Sequence, residues 1–142
     1  APLHHRCELV DEIDGVLYID DSKGTNVAAS STAMESIKGR KIVILGGKGK
    51  GEDYAPLAKT VAQEAEWAVL LGEEAEKIES ALREEHFPNI YRAPDMDEAV
   101  RFAKSIATCG MVVLLSPACT SWDMYPNYKA RGEHFKRAVL GK

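Results

Sequence analysis

The sequence predicts an α/β fold in which a mainly parallel sheet carries helices on both faces and opens with an antiparallel hairpin. Two extended runs near the amino end, Cys7 to Ile13 and Val16 to Asp20, are separated by Asp14-Gly15, the strongest short signal for a hairpin turn. Short apolar runs then alternate with stretches of helical length, which is typical of a parallel sheet. The last apolar run, Met111 to Leu115, leads directly into a polar loop, as buried parallel strands do.

After the hairpin, the alternation continues to the end of the chain without an internal repeat, a low-complexity tract or a linker. Crossover connections between parallel strands cover both faces of a sheet, so the pattern indicates a Rossmann-like arrangement. In chain order, we predict helix Asn26–Ile37, strand Lys41–Leu45, helix Tyr54–Gln63, strand Trp67–Leu71, helix Glu73–His86, strand Asn89–Arg92, helix Asp95–Ala107, strand Met111–Leu115 and helix Asn127–Leu140.

The bulk properties indicate one domain over residues 1–142, because this length is enough to bury an ordinary core. A net charge of -4 with 28% charged residues provides no basic stripe for a nucleic acid. No stretch reaches the roughly 20 apolar residues of a membrane helix, and the amino terminus lacks a signal-peptide core. We therefore expect a cytoplasmic protein without a nucleic-acid or membrane partner. The abrupt start at Ala1-Pro2-Leu3 suggests a domain of a longer protein.

The three cysteines are odd in number and lack a C-x-x-C spacing, which argues against a disulfide framework and a structural zinc site. We expect reduced thiols. Cys119 has no basic partner nearby in sequence, so we expect it to be packed and not nucleophilic. His4, His5 and Arg6 precede the first strand, where they form either an exposed terminus or, alternatively, a hinge or a nucleotide contact.

The block YIDDSKGTN, from Tyr18 to Asn26, runs from an apolar strand into acidic, hydroxyl and lysine side chains just before a helix. Asn26 is equally well explained as a helix cap, because short oxygen-bearing side chains satisfy free N–H groups there. Lys23 and Thr25 favour a function, since an ammonium and a hydroxyl beside a helix amino terminus suit an anion.

The glycine-rich run from Gly46 to Gly51 lacks the Ser or Thr that a Walker motif requires, because Glu52 follows it, and it also fails G-x-G-x-x-G. We interpret it as a turn that brings backbone and a lysine to a carboxylate or phosphate. A flexible turn with solvated lysines is the alternative.

The block SPACTSWDMYPNYKARGEHF begins at Ser116, at the carboxyl end of the last strand, where open α/β sheets bind ligands. Ser121 and the backbone from Trp122 to Tyr128 are suited to hold an anion. For the aromatic side chains of this loop we favour packing over the end of the sheet.

Taken in order, HHRCE, DDSKGTN, ILGGKGKG and LLSPACTSWDMYPNYKARGEHF resemble the carboxyl-terminal domain of the Mur ligase family over essentially the whole chain. The Ser-Pro-Ala-Cys block with its downstream Asn, Arg-Gly and Phe is the most specific part. The Asn-Pro-Arg block of the branch that adds diaminopimelate or lysine is absent. The resemblance is therefore to the branch that adds D-glutamate.

The resemblance implies an ATP-dependent amide ligase whose UDP-sugar-binding and central ATPase domains lie outside this chain. Such a ligase joins D-glutamate to UDP-N-acetylmuramoyl-L-alanine through an acyl phosphate in peptidoglycan precursor synthesis, and the complete enzyme uses ATP and Mg²⁺. The resemblance also implies site residues: Thr25 and Lys50 for one carboxylate of D-glutamate, Ser121, Trp122 and Tyr128 for the other, and Arg6, Asp21 and Lys23 facing ATP.

The lysine assignment has an open alternative, because Lys48 adds a second charge beside Lys50. The chain has no P-loop and no carboxylate cluster for magnesium, so we expect it to bind no cofactor and to be inactive alone, with no catalytic or metal-binding residue of its own. The alternative function is a non-catalytic α/β module that binds a small dicarboxylate.

Overall fold

The computed structural model describes residues 5–142 and has a six-stranded sheet in the order β1-β2-β6-β3-β4-β5. Only β1 and β2 pair antiparallel, and the other neighbours are parallel. This confirms the predicted mainly parallel sheet with a leading hairpin. The strands are β1 Glu8–Ile13, β2 Val16–Asp20, β3 Lys41–Gly46, β4 Ala65–Leu71, β5 Ile90–Arg92 and β6 Val112–Leu115. The helices are α1 Val27–Ser36, α2 Ala55–Glu64, α3 Ala75–Glu84, α4 Met96–Ile106 and α5 Tyr128–Leu140.

The hairpin turn has the geometry that its sequence predicts. Asp14 and Gly15 both have positive φ, 54° and 77°, as the two-residue turn that matches strand twist requires. The turn therefore fixes the register of β1 against β2 at this end of the hairpin, where Ile13 pairs with Val16.

Two apolar cores lie on opposite faces of the sheet, so helices cover both faces as predicted. On one face, Met34 of α1, Leu57 of α2 and Ile78 of α3 pack over Val43 and Leu45. On the other, residues of α4 and α5 pack over Ile42, Ile44 and Val113. None of the helices among the described residues is long and apolar enough to cross a membrane.

Three helices begin at side-chain caps, which fixes where the loops before them end. Asn26 accepts a hydrogen bond from the Ala29 amide, Asp95 from that of Glu98, and Asn127 from that of Ala130. Each cap satisfies a backbone N–H group that the helix leaves free. The capping explanation of Asn26 is thus confirmed.

Candidate functional site

The predicted site loops meet at the carboxyl edge of the sheet. β2, β6 and β3 are neighbours, and their carboxyl ends lead into residues 21–26, 116–127 and 47–54 respectively. Parallel strands deliver such loops to one edge, which is where open α/β sheets bind ligands.

Backbone hydrogen bonds join the three loops directly. The Ala118 amide donates to the Gly24 carbonyl at 3.0 Å, and the Gly46 amide donates to that of Pro117 at 2.9 Å. Lys48 and Thr120 exchange two hydrogen bonds of 2.9 and 3.0 Å in an isolated antiparallel bridge. The loop after β6 therefore holds the other two loops in fixed positions on either side of it.

These links lie beside two of the residues predicted to hold D-glutamate. Thr25 follows Gly24, and Ser121 follows Thr120, so both adjoin the cross-links between loops. Thr25 is half-buried and Ser121 is buried, whereas Lys50 is exposed in the glycine-rich turn. An exposed lysine keeps the freedom to reach a ligand at this edge.

The packing prediction for the loop aromatics is wrong for Trp122, whose residue surface is 68% exposed. Tyr125 is half-buried, and its hydroxyl lies 2.7 Å from Nδ1 of His134. Tyr128 is the first residue of α5 and is also half-buried; the Lys23 Nζ lies 6.0 Å from the centre of its ring. Tyr128 thus lies near Lys23, one of the residues predicted to face a nucleotide.

Arg6, Asp21 and Lys23, predicted to face a nucleotide, line one groove of about 390 Å³ beside α1. Arg6 is exposed and Lys23 is half-buried, so their cationic side chains are available to an anion in the groove. Asp21 is only 4% exposed. Its Oδ2 accepts a hydrogen bond of 2.6 Å from the Ser116 hydroxyl, and its Oδ1 accepts one of 3.1 Å from the Cys7 amide.

Burial raises the pKa of the Asp21 carboxyl above its ordinary value, although the hydrogen bonds from Ser116 and Cys7 act in the opposite direction. Through these two hydrogen bonds, Asp21 connects the loop after β2 to the segment before β1 and to the loop after β6. Its predicted orientation toward ATP stays a prediction.

His5 is buried, which makes an exposed terminus wrong for this residue; His4 lies outside the described residues. Its Nδ1 lies 2.6 Å from Oδ2 of Asp20, and its carbonyl accepts a hydrogen bond from the Lys23 amide. Oxygen and nitrogen atoms of His5, Glu8 and Asp20 lie within 4.8 Å of one another, a geometry that suits a cation. Glu8 also pairs with Lys136 at 3.0 Å, so existing contacts already engage the cluster.

Residues 5–119 match the sequence profile described as "Mur ligase, glutamate ligase domain". The chain belongs to the Mur ligase family. It is 48% identical over 139 residues to the UDP-N-acetylmuramoylalanine--D-glutamate ligase of Nitrosococcus oceani, covering 96% of this chain and 30% of that protein. The same-named protein of Marinobacter nauticus is 49% identical over 142 residues, covering 98% and 31%. The chain thus spans about 30% of the length of these curated relatives.

Solved structures share the fold at low sequence identity. A murein peptide ligase from Psychrobacter arcticus has a TM-score of 0.68 at 14% identity, covering 96% of this chain and 30% of that one. A bifunctional folylpolyglutamate synthase/dihydrofolate synthase from Yersinia pestis, complexed with AMPPNP and a Mn ion, has a TM-score of 0.66 at 18% identity, covering 100% and 32%. A Haemophilus ducreyi ligase domain has a TM-score of 0.64 at 16% identity, covering 94% and 99%.

Beneath the glycine turn of this Mur ligase domain lies a buried polar cluster of Tyr54, Glu74 and Cys119. The Tyr54 hydroxyl donates to Glu74 Oε1 at 2.8 Å and lies 3.4 Å from the Cys119 Sγ. The Glu74 amide donates to the Gly47 carbonyl at 2.9 Å. A Cβ at Gly49 would overlap the Glu74 carboxylate, so the turn packs directly on this side chain.

Cys119 is 1% exposed, and burial raises the pKa of its thiol to about 11. The thiol is therefore protonated at neutral pH. The predicted packing of Cys119 is confirmed by its burial, and its lack of a nucleophilic role stays a prediction. Burial is also the main cause that raises the pKa of Tyr54, and the hydrogen bonds of its hydroxyl with Cys119 and Glu74 raise this pKa further.

The sequence analysis placed Arg131 in the Arg-Gly pair of the last motif but gave it no role, although its spacing contains a signal. Arg131, Phe135 and Val139 recur every four residues and are all buried, so they share the face of α5 toward the sheet. A cation on the apolar face of a helix needs buried acceptors, and Arg131 finds them in the carbonyl groups of Cys119 and Ser22.

Proposed function

We propose that this chain is the amino-acid-binding domain of an ATP-dependent ligase that adds D-glutamate to UDP-N-acetylmuramoyl-L-alanine. The observation that carries the proposal is its identity of 44–49% with relatives of that name over nearly all of its length. The chain spans about 30% of those relatives, and in this proposal the UDP-sugar-binding and ATPase domains belong to the rest of the complete enzyme. In this proposal, the complete enzyme acts in the cytoplasm and takes part in peptidoglycan precursor synthesis.

In this proposal, the amino acid binds across the three joined loops. Thr25 and Lys50 hold one carboxylate of D-glutamate, and Ser121 with the backbone near Tyr128 holds the other. Trp122 covers the pocket from its exposed position. Two fixed carboxylates leave the amine of the ligand pointed toward the acyl carbon, which is the near-attack arrangement that amide formation requires. The hydrogen bonds that join the three loops support these assignments.

ATP supplies the phosphoryl group that converts the lactoyl-alanine carboxylate to an acyl phosphate. The groove beside α1 is the part of this chain suited to face it, because Arg6 and Lys23 are cations with accessible ends. Asp21 orients the loop that carries Lys23. ATP and Mg²⁺ bind in the complete enzyme, and the isolated chain binds neither and is inactive.

The test is a chimera that joins this chain to the two remaining domains of the Nitrosococcus oceani relative. Amide product and ADP are measured with UDP-N-acetylmuramoyl-L-alanine, ATP and either D- or L-glutamate. A chimera that carries the homologous domain of the Marinobacter nauticus relative controls for the artificial domain junction. Product that depends on D-glutamate is expected. A folded chimera that makes no product, beside an active control, would contradict the proposal and favour a non-catalytic dicarboxylate-binding module.

A further inference from the structure

Arg131 belongs to the Arg-Gly pair of the sequence motif, and the proposed contacts to D-glutamate and ATP leave it without a role. It is 3% exposed. Its Nη1 donates to the Cys119 carbonyl at 3.0 Å, and its Nη2 donates to the Ser22 carbonyl at 2.8 Å. One guanidinium therefore joins the loop after β6 to the loop after β2.

Both contacts lie next to residues assigned to a ligand. Ser22 directly precedes Lys23, which faces the nucleotide groove. Cys119 lies two residues before Ser121, assigned to a carboxylate of D-glutamate. The guanidinium is a rigid planar fork, so it fixes the distance between the two carbonyl groups. It thereby also fixes the distance between the two segments that face ligands.

Stability alone does not explain the buried position of Arg131. Burial lowers the pKa of Arg131 to about 10, so the group remains a cation at neutral pH inside the protein. Among the described residues, its Nε and the nearby Ser22 Oγ have no hydrogen-bond partner. Buried unpaired polar atoms reduce stability, and an apolar side chain of similar volume would avoid the cost.

Gly132 allows α5 to approach these loops closely. A Cβ at this position would lie 2.5 Å from Ser22 Oγ and 2.8 Å from Asp20 Oδ2, too close for any real side chain. The two residues of the motif therefore act together. The glycine lets α5 pack closely against the loops, and the arginine donates hydrogen bonds to carbonyl groups of those loops.

We propose that Arg131 is a positioning residue that fixes the loop carrying Ser121 relative to the loop carrying Lys23, and so aligns the amino acid with the nucleotide. This inference rests on the proposed function. A displacement of about 1 Å between reacting groups can reduce a rate by about a hundredfold, so a link between the two loops has a direct kinetic consequence.

The test uses the active chimera with Arg131→Met, and Arg137→Met as a matched control in an exposed arginine of the same helix. For Arg131→Met, we expect the KM for D-glutamate and the KM for ATP both to rise, and kcat/KM for D-glutamate to fall by about a hundredfold. The control should keep the parental values. A purely structural role would lower the active fraction, and hence kcat, with both KM values unchanged; that result overturns the inference.

Arg131→Lys keeps the charge but replaces the fork with a single ammonium that cannot span both carbonyl groups in the same way. It should show a smaller rise in both KM values, and parental KM values would overturn the inference even if the methionine variant does not fold.

Amide hydrogen exchange on the 142-residue chain gives a readout independent of activity. The lysine variant should exchange faster at residues 20–24 and 118–121 but not in α4; unchanged exchange in those loops contradicts the link. An inactive parent chimera counts against the proposed function alone.

Discussion

Replacing Asp21 with Asn should preserve or increase stability at neutral pH, whereas Asp21→Ala should reduce it. The carboxylate is buried and accepts hydrogen bonds from the Ser116 hydroxyl and the Cys7 amide. In Asp21→Asn, the amide oxygen can still accept from Cys7, and the amide nitrogen can donate to Ser116. The Ser116 Oγ lies 3.1 Å from that of Ser30, to which it can then donate.

The alanine variant leaves the Cys7 amide without its acceptor, at a cost of about 1–3 kcal/mol, whereas the Ser116 hydroxyl can still donate to Ser30. For a domain of this size, each kcal/mol corresponds to a fall in Tm of about 3–4 °C. The asparagine variant avoids this loss and also removes a buried charge.

The pH dependence gives the sharper test. Because burial raises the pKa of Asp21 above its ordinary value of 3.8, the folded state binds this proton more tightly than the unfolded state does. The stability that the protonated carboxyl contributes is fully present below the unfolded pKa and is lost as pH rises through the folded pKa. The free energy of unfolding of Asp21→Asn, minus that of the parent, should therefore increase with pH over this window.

Urea unfolding of the parent and both variants from pH 4 to pH 8 measures this difference. Equal destabilisation of the asparagine and alanine variants, or a difference that does not change with pH, would refute the reasoning. In the chimera, a stable Asp21→Asn variant with reduced turnover would add support for its orientation toward the nucleotide.

Three further predictions concern the same edge of the sheet. Lys50→Ala in the chimera should raise the KM for D-glutamate by about tenfold to a hundredfold, since a charge-assisted hydrogen bond contributes about 1.5–3 kcal/mol; Lys48→Ala is the matched control, and an unchanged KM in the first variant removes Lys50 from the site. Lys23→Ala should lower turnover more than it weakens D-glutamate binding, and full turnover at saturating ATP would disprove that role. Tyr54→Phe should lower the free energy of urea unfolding by about 1 kcal/mol, because Glu74 loses a buried donor; parental stability would show that the hydroxyl contributes nothing there.

The sequence predicted the elements of this fold well because local signals determine them. Asp14-Gly15 specified the turn, and the caps Asn26 and Asn127 marked where α1 and α5 begin. The sequence did not determine the strand order, since Val112 to Leu115 is the last strand in the chain but lies between β2 and β3. Only the crossovers, which depend on packing across the whole sheet, fix that position.

The candidate site divides in the same way. Its loops were evident because polar residues follow apolar strands, but the interactions that brace the loops were not. Arg131 and Ser22 are 109 residues apart, and Glu74 lies 20 residues beyond Tyr54, so no local pattern reports either contact. The packing expected for Trp122 was wrong because a large apolar side chain in a loop can remain exposed on a folded protein.

The most direct test of the central claim is a titration of the isotope-labelled 142-residue chain with D-glutamate, followed by backbone amide chemical shifts. We expect shifts confined to residues 22–26, 47–51 and 118–128, with a dissociation constant weaker than micromolar because the other domains complete the site. L-Glutamate serves as the control and should bind more weakly. Shifts centred elsewhere on the sheet, or equal responses to both enantiomers, would contradict the assignment of these three loops to D-glutamate.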